Sequence, residues 1–382
     1  MAEPVQQAEH PFKVVIVGAG RVGSALALLL SEAPEFEVTL VDPTEPARRR
    51  MEALGLPLAE VDPGNPTQLD RLLAQSQAVV AALPASATPM VAVAARRNGI
   101  HYLDLGDDTA GLGAVLSEAR SAASCFVPQC GIAPGLVSQL VLDLVSRTSG
   151  KAEVDVRIGT LPREPANRLG YGLTWDVDAL LREYIQPSTA LVEGRRASLP
   201  TLSDLGRLRL GGRDYEDFVS GNIPASLCAR LEGQVARLTS RTIRYPGHLD
   251  YMRFLLDDVK LRGRTDLLRN LFLNALPEIV DDRLLISVSA TSRQDGRSVE
   301  EQFTREVVPA QIGGSTVSAM RRTAAAHVAA VLDLLRTGVI GKPGLCAQEE
   351  IPFSALSANR FLSWFFATSA EEGGLTSPRS AA

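Results

Sequence analysis

The stretch that most restricts what this chain can fold into runs from Lys13 to Asp42, KVVIVGAGRVGSALALLLSEAPEFEVTLVD. Lys13 to Val17 is a short β-branched run of the kind that parallel sheets bury on both faces. Gly18, Gly20 and Gly23 follow at the spacing G-x-G-x-x-G, and Val22, Ala25, Leu26 and Leu29 then recur at helical period. Gly18 suits the tight turn, Gly20 lets a pyrophosphate approach the backbone, and Gly23 lets the helix lie against the strand. A second strand, Glu37 to Val41, ends in Asp42, about the distance at which an acid meets the ribose of a dinucleotide. The same glycines would survive in a domain whose nucleotide site has decayed or serves regulation alone. Strand, glycines, helix, strand and terminal acid together favour a working cofactor site.

The identity of the cofactor turns on charge. A carboxylate at Asp42 hydrogen-bonds a 2′-hydroxyl and repels a 2′-phosphate, which favours NAD. Arg48, Arg49 and Arg50 lie just downstream and leave NADP open, their other reading being a solvated helix face. Arg21 and Val22 inside the loop, Asp62, and Leu83 with Pro84 complete the expected cofactor-binding set.

Downstream the pattern alternates as a doubly wound fold requires. Helices are expected over 47–54, in PGNPTQLDRLLAQ, and over 91–98 and 113–123. Strands are expected over 58–61 (ending at Asp62), 78–83, 101–105 and 125–129. The end of the 78–83 strand carries Pro84, Ala85 and Ser86, small enough to leave room for a nicotinamide ribose. CGIAPGL then leaves the sheet on its carboxyl edge, where open α/β sheets bind ligands, and a helix over 136–145 follows. From Lys151 the segments EVDVRIGTL, SRTIRY, RLLISVSATS and VEEQFTREVV suggest a mixed or antiparallel sheet with helices on one face. TVSAMRRTAAAHVAAVLDLL, 316–335, reads as one long amphipathic helix returning to the first domain.

The fold class expected is therefore α/β. An N-terminal Rossmann domain with a doubly wound parallel sheet (12–135, completed by about 315–365) precedes an α+β substrate and dimerisation domain with a mixed sheet (136–314). Residues 366–382 are small and polar, the composition of a disordered tail. At 382 residues with 45% hydrophobic and 22% charged residues, two domains are the natural count. A net charge of −5 argues against a nucleic-acid or anionic-membrane partner. The richest apolar run, Ala78 to Ala95, is broken by Pro84 and Pro89, so no membrane span is expected. The start MAEPVQQAEHPF has neither the basic region nor the apolar core of a secretory signal. Cys125, Cys130, Cys228 and Cys346 form no metal-like spacing with the four histidines, which fits a reduced, cytoplasmic setting and no metal.

Five residues stand out as carriers of chemistry. Arg244, inside TIRY, is costly on an inward strand position unless it meets an anion: a substrate carboxylate, or an internal Asp or Glu. His248 follows Gly247 and is the best placed of the four histidines for acid–base work, a surface hydrogen-bonding histidine being the plainer reading. Asp104 ends an apolar strand near the expected nicotinamide; it could take a proton, or cap the turn at Gly106. Cys130 lies near the same edge and could line the substrate pocket, an inert buried thiol being its default. LGYGLTW, with Tyr171, is the other distinctive polar segment of the second domain.

The order VVIVGAGRVG, YLDLGDD, CGIAPGL, LPREPANRLGYGLTWDVDALLREYIQPSTALVEGR and TIRYPGH resembles the saccharopine dehydrogenase-like family from about Lys13 to Ile351. The PSTALVEGR stretch and the histidine after TIRYPG are most similar to its bacterial lysine 6-dehydrogenase branch. LPREPANRLGY is also similar to its glutamate-forming saccharopine reductases, which use NADPH. The lack of a large insertion between Glu183 and Arg241 favours the smaller lysine enzymes, while FVSGN (218–222) departs from the loop expected near the substrate. The resemblance implies NAD-dependent oxidation at the CH–NH2 group of an amino acid, L-lysine at its ε-amine, giving an aldehyde that closes to piperideine-6-carboxylate. It implies a homodimer through the second domain's sheet and a site between two domains. Arg244 would hold the distal carboxylate, Tyr171 and Tyr245 would line the pocket, and His248 or Asp104 would move the proton. Saccharopine or opine-type chemistry would need a second carboxylate-binding arginine, for which Arg157, Arg168 and Arg241 are available. A catalytically silent nucleotide sensor is the reading of a different class.

Overall fold

The computed structural model describes residues 10–106, 109–221 and 223–367, so the leader before His10 and most of the expected tail lie outside the described residues. So do Asp107 and Asp108 of YLDLGDD and Asn222 of FVSGN. Two compact units divide the chain: 1–135 with 311–315 and 324–362, and 136–310 with 316–323 and 363–382.

The first unit is built on a wholly parallel sheet. Its strands are β1 (Phe12–Val17), β2 (Phe36–Val41), β3 (Ala78–Ala81), β4 (His101–Asp104) and β5 (Cys125–Val127), with a short strand Gly344–Leu345 at one edge. From that edge the order is β5, β4, β3, β1, β2. All five pairings are parallel. Runs such as Val14–Val17 and Ala78–Ala81 are 0–1% exposed because helices cover both faces, which is why they read as continuous apolar blocks. The helices are α1 (Arg21–Ser31), α2 (Glu45–Leu54), α3 (Pro66–Leu73), α4 (Thr88–Asn98) and α5 (Thr109–Ala119). Asn65 caps α3 by accepting from the Thr67 and Gln68 amides, with Pro66 at the first helical position, where its missing N–H costs nothing. β1 lies between β2 and β3, so the direction of winding reverses at its carboxyl end.

The strand expected over 58–61 does not form. Only an isolated bridge joins Leu58 to Leu40, with the Ala59 amide donating to the Leu40 carbonyl. The segment has one β-branched residue and sits between Pro57 and Pro63, which deny it a ladder on either side.

The second unit holds an eight-stranded mixed sheet, as the segment pattern after Lys151 suggests. Its strands are β6 (Glu153–Pro162), β7 (Ser188–Val192), β8 (Arg195–Leu199), β9 (Ser203–Leu210), β10 (Arg213–Val219), β11 (Arg237–Arg244), β12 (Asp282–Gln294) and β13 (Arg297–Val307). The order is β13, β12, β6, β11, β10, β9, with β7 pairing to β11 and β8. β6 and β11 run parallel and every other pair is antiparallel. The helices here and after are α6 (Leu136–Ser146), α7 (Val177–Ile185), α8 (Ala225–Leu231), α9 (His248–Arg253), α10 (Thr265–Ala275) and α11 (Ala319–Arg336). An aromatic-rich core gathers Tyr171, Tyr184, Tyr215, Phe218 and Phe272 with Leu161, Ile243 and Leu285.

The long helix expected from Thr316 starts later. Ser315–Val317 is a strand, and the buried Asp282 carboxylate accepts from the Ala319 and Met320 amides, satisfying donors that the first turn of α11 cannot. No helix of the described residues is long and apolar enough to cross a membrane.

Candidate functional site

In the first unit the glycine loop takes the geometry its spacing implies. Gly18 has φ +108°, and a Cβ there would run into the Ala82 carbonyl; one at Gly23 would strike the Gly18 carbonyl. Around Gly20 nothing lies within 4 Å of an added Cβ, so this glycine leaves an open approach rather than relieving a crowded one. Gly20 is also the N-cap of α1, without a side-chain cap and with no acidic residue in the first turn. The positive end of the helix is thus left for an anion. Arg21 and Val22 open the helix, both half-buried.

Asp42 is bound into this loop. One carboxylate oxygen accepts from the Ala19 amide at 2.9 Å, the other from the Thr44 amide at 2.9 Å and Thr44 Oγ1 at 2.6 Å. Arg50 Nη1 donates to the Ala19 carbonyl at 2.9 Å, and Arg49 pairs with Glu45. Beyond Asp42 opens a cavity of 480 Å³ lined by Asp42, Glu52, Glu60 and Asp62, with Arg48 the one basic side chain on its wall. Asp62 also closes a turn by accepting from the Gly64 amide at 2.9 Å. Leu83 packs on Gly18, and the Pro84 carbonyl accepts from the Ala87 amide, turning the chain toward α4. The bare Gly20, the uncapped helix and the adjoining cavity fit a dinucleotide.

Asp104 is placed differently from a proton acceptor. Its carboxylate is 2% exposed and accepts from Tyr102 Oη at 2.8 Å and from the Gly106 and Gln129 amides at 2.9 Å each. Burial raises its pKa against those donors. The space beside it, among Ala85, Thr88, Gly106 and Leu112, admits no water. The turn-capping alternative describes what this side chain does: it ties the end of β4 to the next two loops. Cys130 is likewise enclosed. It is fully buried, with Sγ 3.9 Å from His327 Nδ1 and its thiol pushed up by burial. The expectation that it lines a pocket is corrected to the inert default.

In the second unit Arg244, at the end of β11, is 2% exposed, as its inward position required. Its Nε donates to Tyr184 Oη at 2.7 Å and its Nη1 to the Ile243 carbonyl at 2.9 Å. The guanidinium carbon lies 4.8 Å from the Tyr171 ring centre and 5.7 Å from that of Tyr184. Among the described residues no carboxylate comes within 4.0 Å of Arg244, Glu183 acting on it only from longer range, and Nη2 has no partner. The internal-acid alternative therefore fails for this arginine. It holds for its neighbours: Arg241 bonds Asp217 and Asp204, and Arg157 bonds Asp217 and Asp155. Arg168 is exposed.

His248 begins α9 but is 1% exposed, which overturns the surface alternative. Nδ1 lies 2.8 Å from the Leu169 carbonyl and Nε2 lies 3.0 Å from Tyr184 Oη, so both ring nitrogens are engaged. Burial first, and the Arg244 charge second, lower its pKa to about 3. With both nitrogens engaged and the ring enclosed, the acid–base role expected for it has no free nitrogen in this arrangement. Tyr171 lies under Arg244 and accepts from Trp175 Nε1 at 3.2 Å. Tyr245 faces elsewhere: its Oη donates to the Pro162 carbonyl at 2.8 Å and its ring stacks on Tyr215. Sequence reasoning passed over Tyr184 and Glu216. Tyr184 shares a helical stripe with Leu180 and Leu181 and so reads as core. Glu216, in β10, accepts from the Gly247 and Leu249 amides at 2.9 and 2.6 Å and fixes the RYPGH turn.

Comparison with known proteins adds two family matches. The saccharopine dehydrogenase NADP binding domain matches residues 14–125, and the saccharopine dehydrogenase C-terminal domain matches residues 131–364. Among solved structures, apo saccharopine dehydrogenase (L-Glu forming) from Saccharomyces cerevisiae is 17% identical with a TM-score of 0.72, covering 90% of this chain and 96% of that one. DAP dehydrogenase of C. glutamicum, in complex with DAP, is 11% identical with a TM-score of 0.46, covering 91% and 96%. At 17% identity the likeness to the Saccharomyces cerevisiae protein is one of fold alone.

Proposed function

Because this chain belongs to the saccharopine dehydrogenase family, we propose that it is a nicotinamide-dependent amino-acid dehydrogenase, and that it oxidises L-lysine at its ε-carbon with NAD. Gly18, Gly20 and the start of α1 would hold the pyrophosphate, with Asp42 on the adenosine ribose. Bound there, the dinucleotide supplies a hydride acceptor. The carbon–nitrogen bond so oxidised adds water and releases ammonia, leaving an aldehyde that the α-amine of the same molecule can close upon. The cavity beyond Asp42 carries four carboxylates and one guanidinium, which supports a 2′-hydroxyl over a 2′-phosphate.

Arg244 carries the reading on the substrate side. A guanidinium on a residue only 2% exposed, flanked by tyrosine rings and with Nη2 unpartnered among the described residues, suits one carboxylate. A saccharopine-like substrate needs further carboxylate binding, and Arg157 and Arg241 are already neutralised by Asp155, Asp204 and Asp217. Of the expected candidates only Arg168 remains for that second reading. With Asp104 and His248 both enclosed, the amine enters as its free base, so kcat/KM rises with pH toward the amine's own pKa of about 10.4. A screen of NAD and NADP against L-lysine, saccharopine and ornithine, followed by NADH absorbance, tests this directly. Turnover of NAD with lysine supports it; turnover with saccharopine alone, or none with any amine, overturns it.

A further inference from the structure

The geometry points to Tyr184 and His248 as a positioning pair that sets the Arg244 guanidinium for its anion. This rests on the reading of Arg244 as the carboxylate tether. A carbonyl only accepts, so the 2.8 Å contact with Leu169 puts the proton of His248 on Nδ1. Nε2 is then bare and accepts from Tyr184 Oη at 3.0 Å. With its own proton committed there, Tyr184 Oη presents a lone pair to Arg244 Nε at 2.7 Å. Every hydrogen in the chain Leu169–His248–Tyr184–Arg244 therefore has one direction. The opposite order would leave two donors facing each other.

The surroundings fix each member. Phe218 lies parallel to the His248 ring, centres 6.3 Å apart and 10° between planes, and Tyr171 meets it edge-on at 5.6 Å. Tyr184 is fully buried on α7, whose N-cap Asp176 accepts from the Ala179 amide at 2.8 Å. Glu216 clamps the backbone on both sides of His248. Arg244 is the charged group beside the ring, and Leu169, Tyr171, Tyr184 and Phe218 make up its other described contacts. With Nε held by Tyr184 and Nη1 by Ile243, the guanidinium plane has one orientation, and Nη2 is the donor it offers. In a carboxylate complex this spares the ordering that a free arginine would undergo on binding.

The pair acts through Arg244, so it governs binding of the acid and not the chemical step. Three variants of the full-length enzyme separate the possibilities: Tyr184→Phe, His248→Leu and His248→Gln. Gln offers an amide oxygen near the place of Nε2 and Leu offers nothing. With saturating NAD, Y184F and H248L are expected to raise the KM and the calorimetric Kd for L-lysine about tenfold, leaving kcat within twofold and the KM for NAD unchanged. H248Q restores KM to within twofold of wild type, and H248L added to R244K has no further effect. Loss of kcat by a hundredfold in both His248 variants, with a limb removed from the kcat–pH profile, makes His248 a proton carrier and overturns the proposal. A fall in thermal midpoint with KM unchanged in Y184F and H248L reduces the pair to packing and also overturns it. If R244K leaves the KM for lysine unchanged, or wild type neither turns over nor binds lysine, the tether reading itself fails. A large R244K effect beside silent Y184F and H248L sinks the positioning pair alone.

Discussion

Arg241 and Arg244 sit three residues apart on β11 and have opposite surroundings. Arg241 is wrapped in carboxylate: Asp217 and Asp204 take its Nε, Nη1 and Nη2, and Asp217 reaches on to Arg157. Arg244 is wrapped in rings and touches only neutral acceptors. Both guanidinia are buried, and burial alone separates neither role. The first charge is cancelled by partners the chain supplies, so it braces the sheet. The second meets only neutral groups among the described residues, and on the proposed reading its partner is the substrate's carboxylate. Whether a buried arginine is a strut or a receptor is decided by the count of acids around it.

The largest test of that contrast is on the strut side. Asp217→Ala strips a shared partner from two buried guanidinia and is expected to cost about 3 kcal/mol of stability in a urea titration. Turnover per folded molecule is expected to stay near wild type; if turnover falls while stability holds, the roles are reversed. Arg244→Lys keeps a charge but loses the planar fork, and is expected to raise the KM for the amino acid about a hundredfold, close to 2.7 kcal/mol. The urea midpoint of R244K should move far less than that of D217A.

Per pH unit, a smaller effect is read in acid. His248 and His327 are both buried, with pKa values lowered to about 3 and about 4 from 6.5. Between these limits the unfolded chain binds protons that the native one refuses. Their contribution is whole above pH 6.5 and is lost as pH falls through that window, at about 1.4 kcal/mol per pH unit for each histidine. Asp104 and Asp282, raised by burial, titrate with the opposite sign, so the clean reading is a difference. H248Q should flatten the stability–pH slope below pH 6.5 by the share of one histidine; an unchanged slope would show His248 to titrate normally. Smallest is Asp42→Ser, which should narrow the preference for NAD over NADP by about 1 kcal/mol, read as the ratio of kcat/KM values.

Much of the first unit was legible because its signals are local. The β1–loop–α1–β2 sequence carries its own period, glycines and terminal acid, and each lands where its spacing puts it. The strand over 58–61 failed for a local reason as well, prolines outweighing a weak apolar pattern. The second unit was legible as segments, not as a site. That Arg244 faces inward follows from TIRY alone. That rings surround Arg244 while acids surround Arg241 does not follow from strand register: β10 sets Glu216 opposite Arg244 and Val219 opposite Arg241, but Glu216 is taken by the Gly247 and Leu249 amides, and Tyr171 and Tyr184 come from outside the sheet. Tyr184 and His248 meet across 64 residues of sequence, and no periodicity relates them.

The parallel run of β6 beside β11 has a further consequence. Parallel neighbours cannot be joined by a tight turn, so the whole of 163–236, with α7, α8 and the hairpins of β7–β8 and β9–β10, is one excursion between them. That excursion carries β7 and β10, which pair with β11, and Tyr184, which holds Arg244, so β11 draws its other neighbours from its own connection. A change in the length of that connection would therefore disturb the surroundings of the guanidinium and the strand that presents it together.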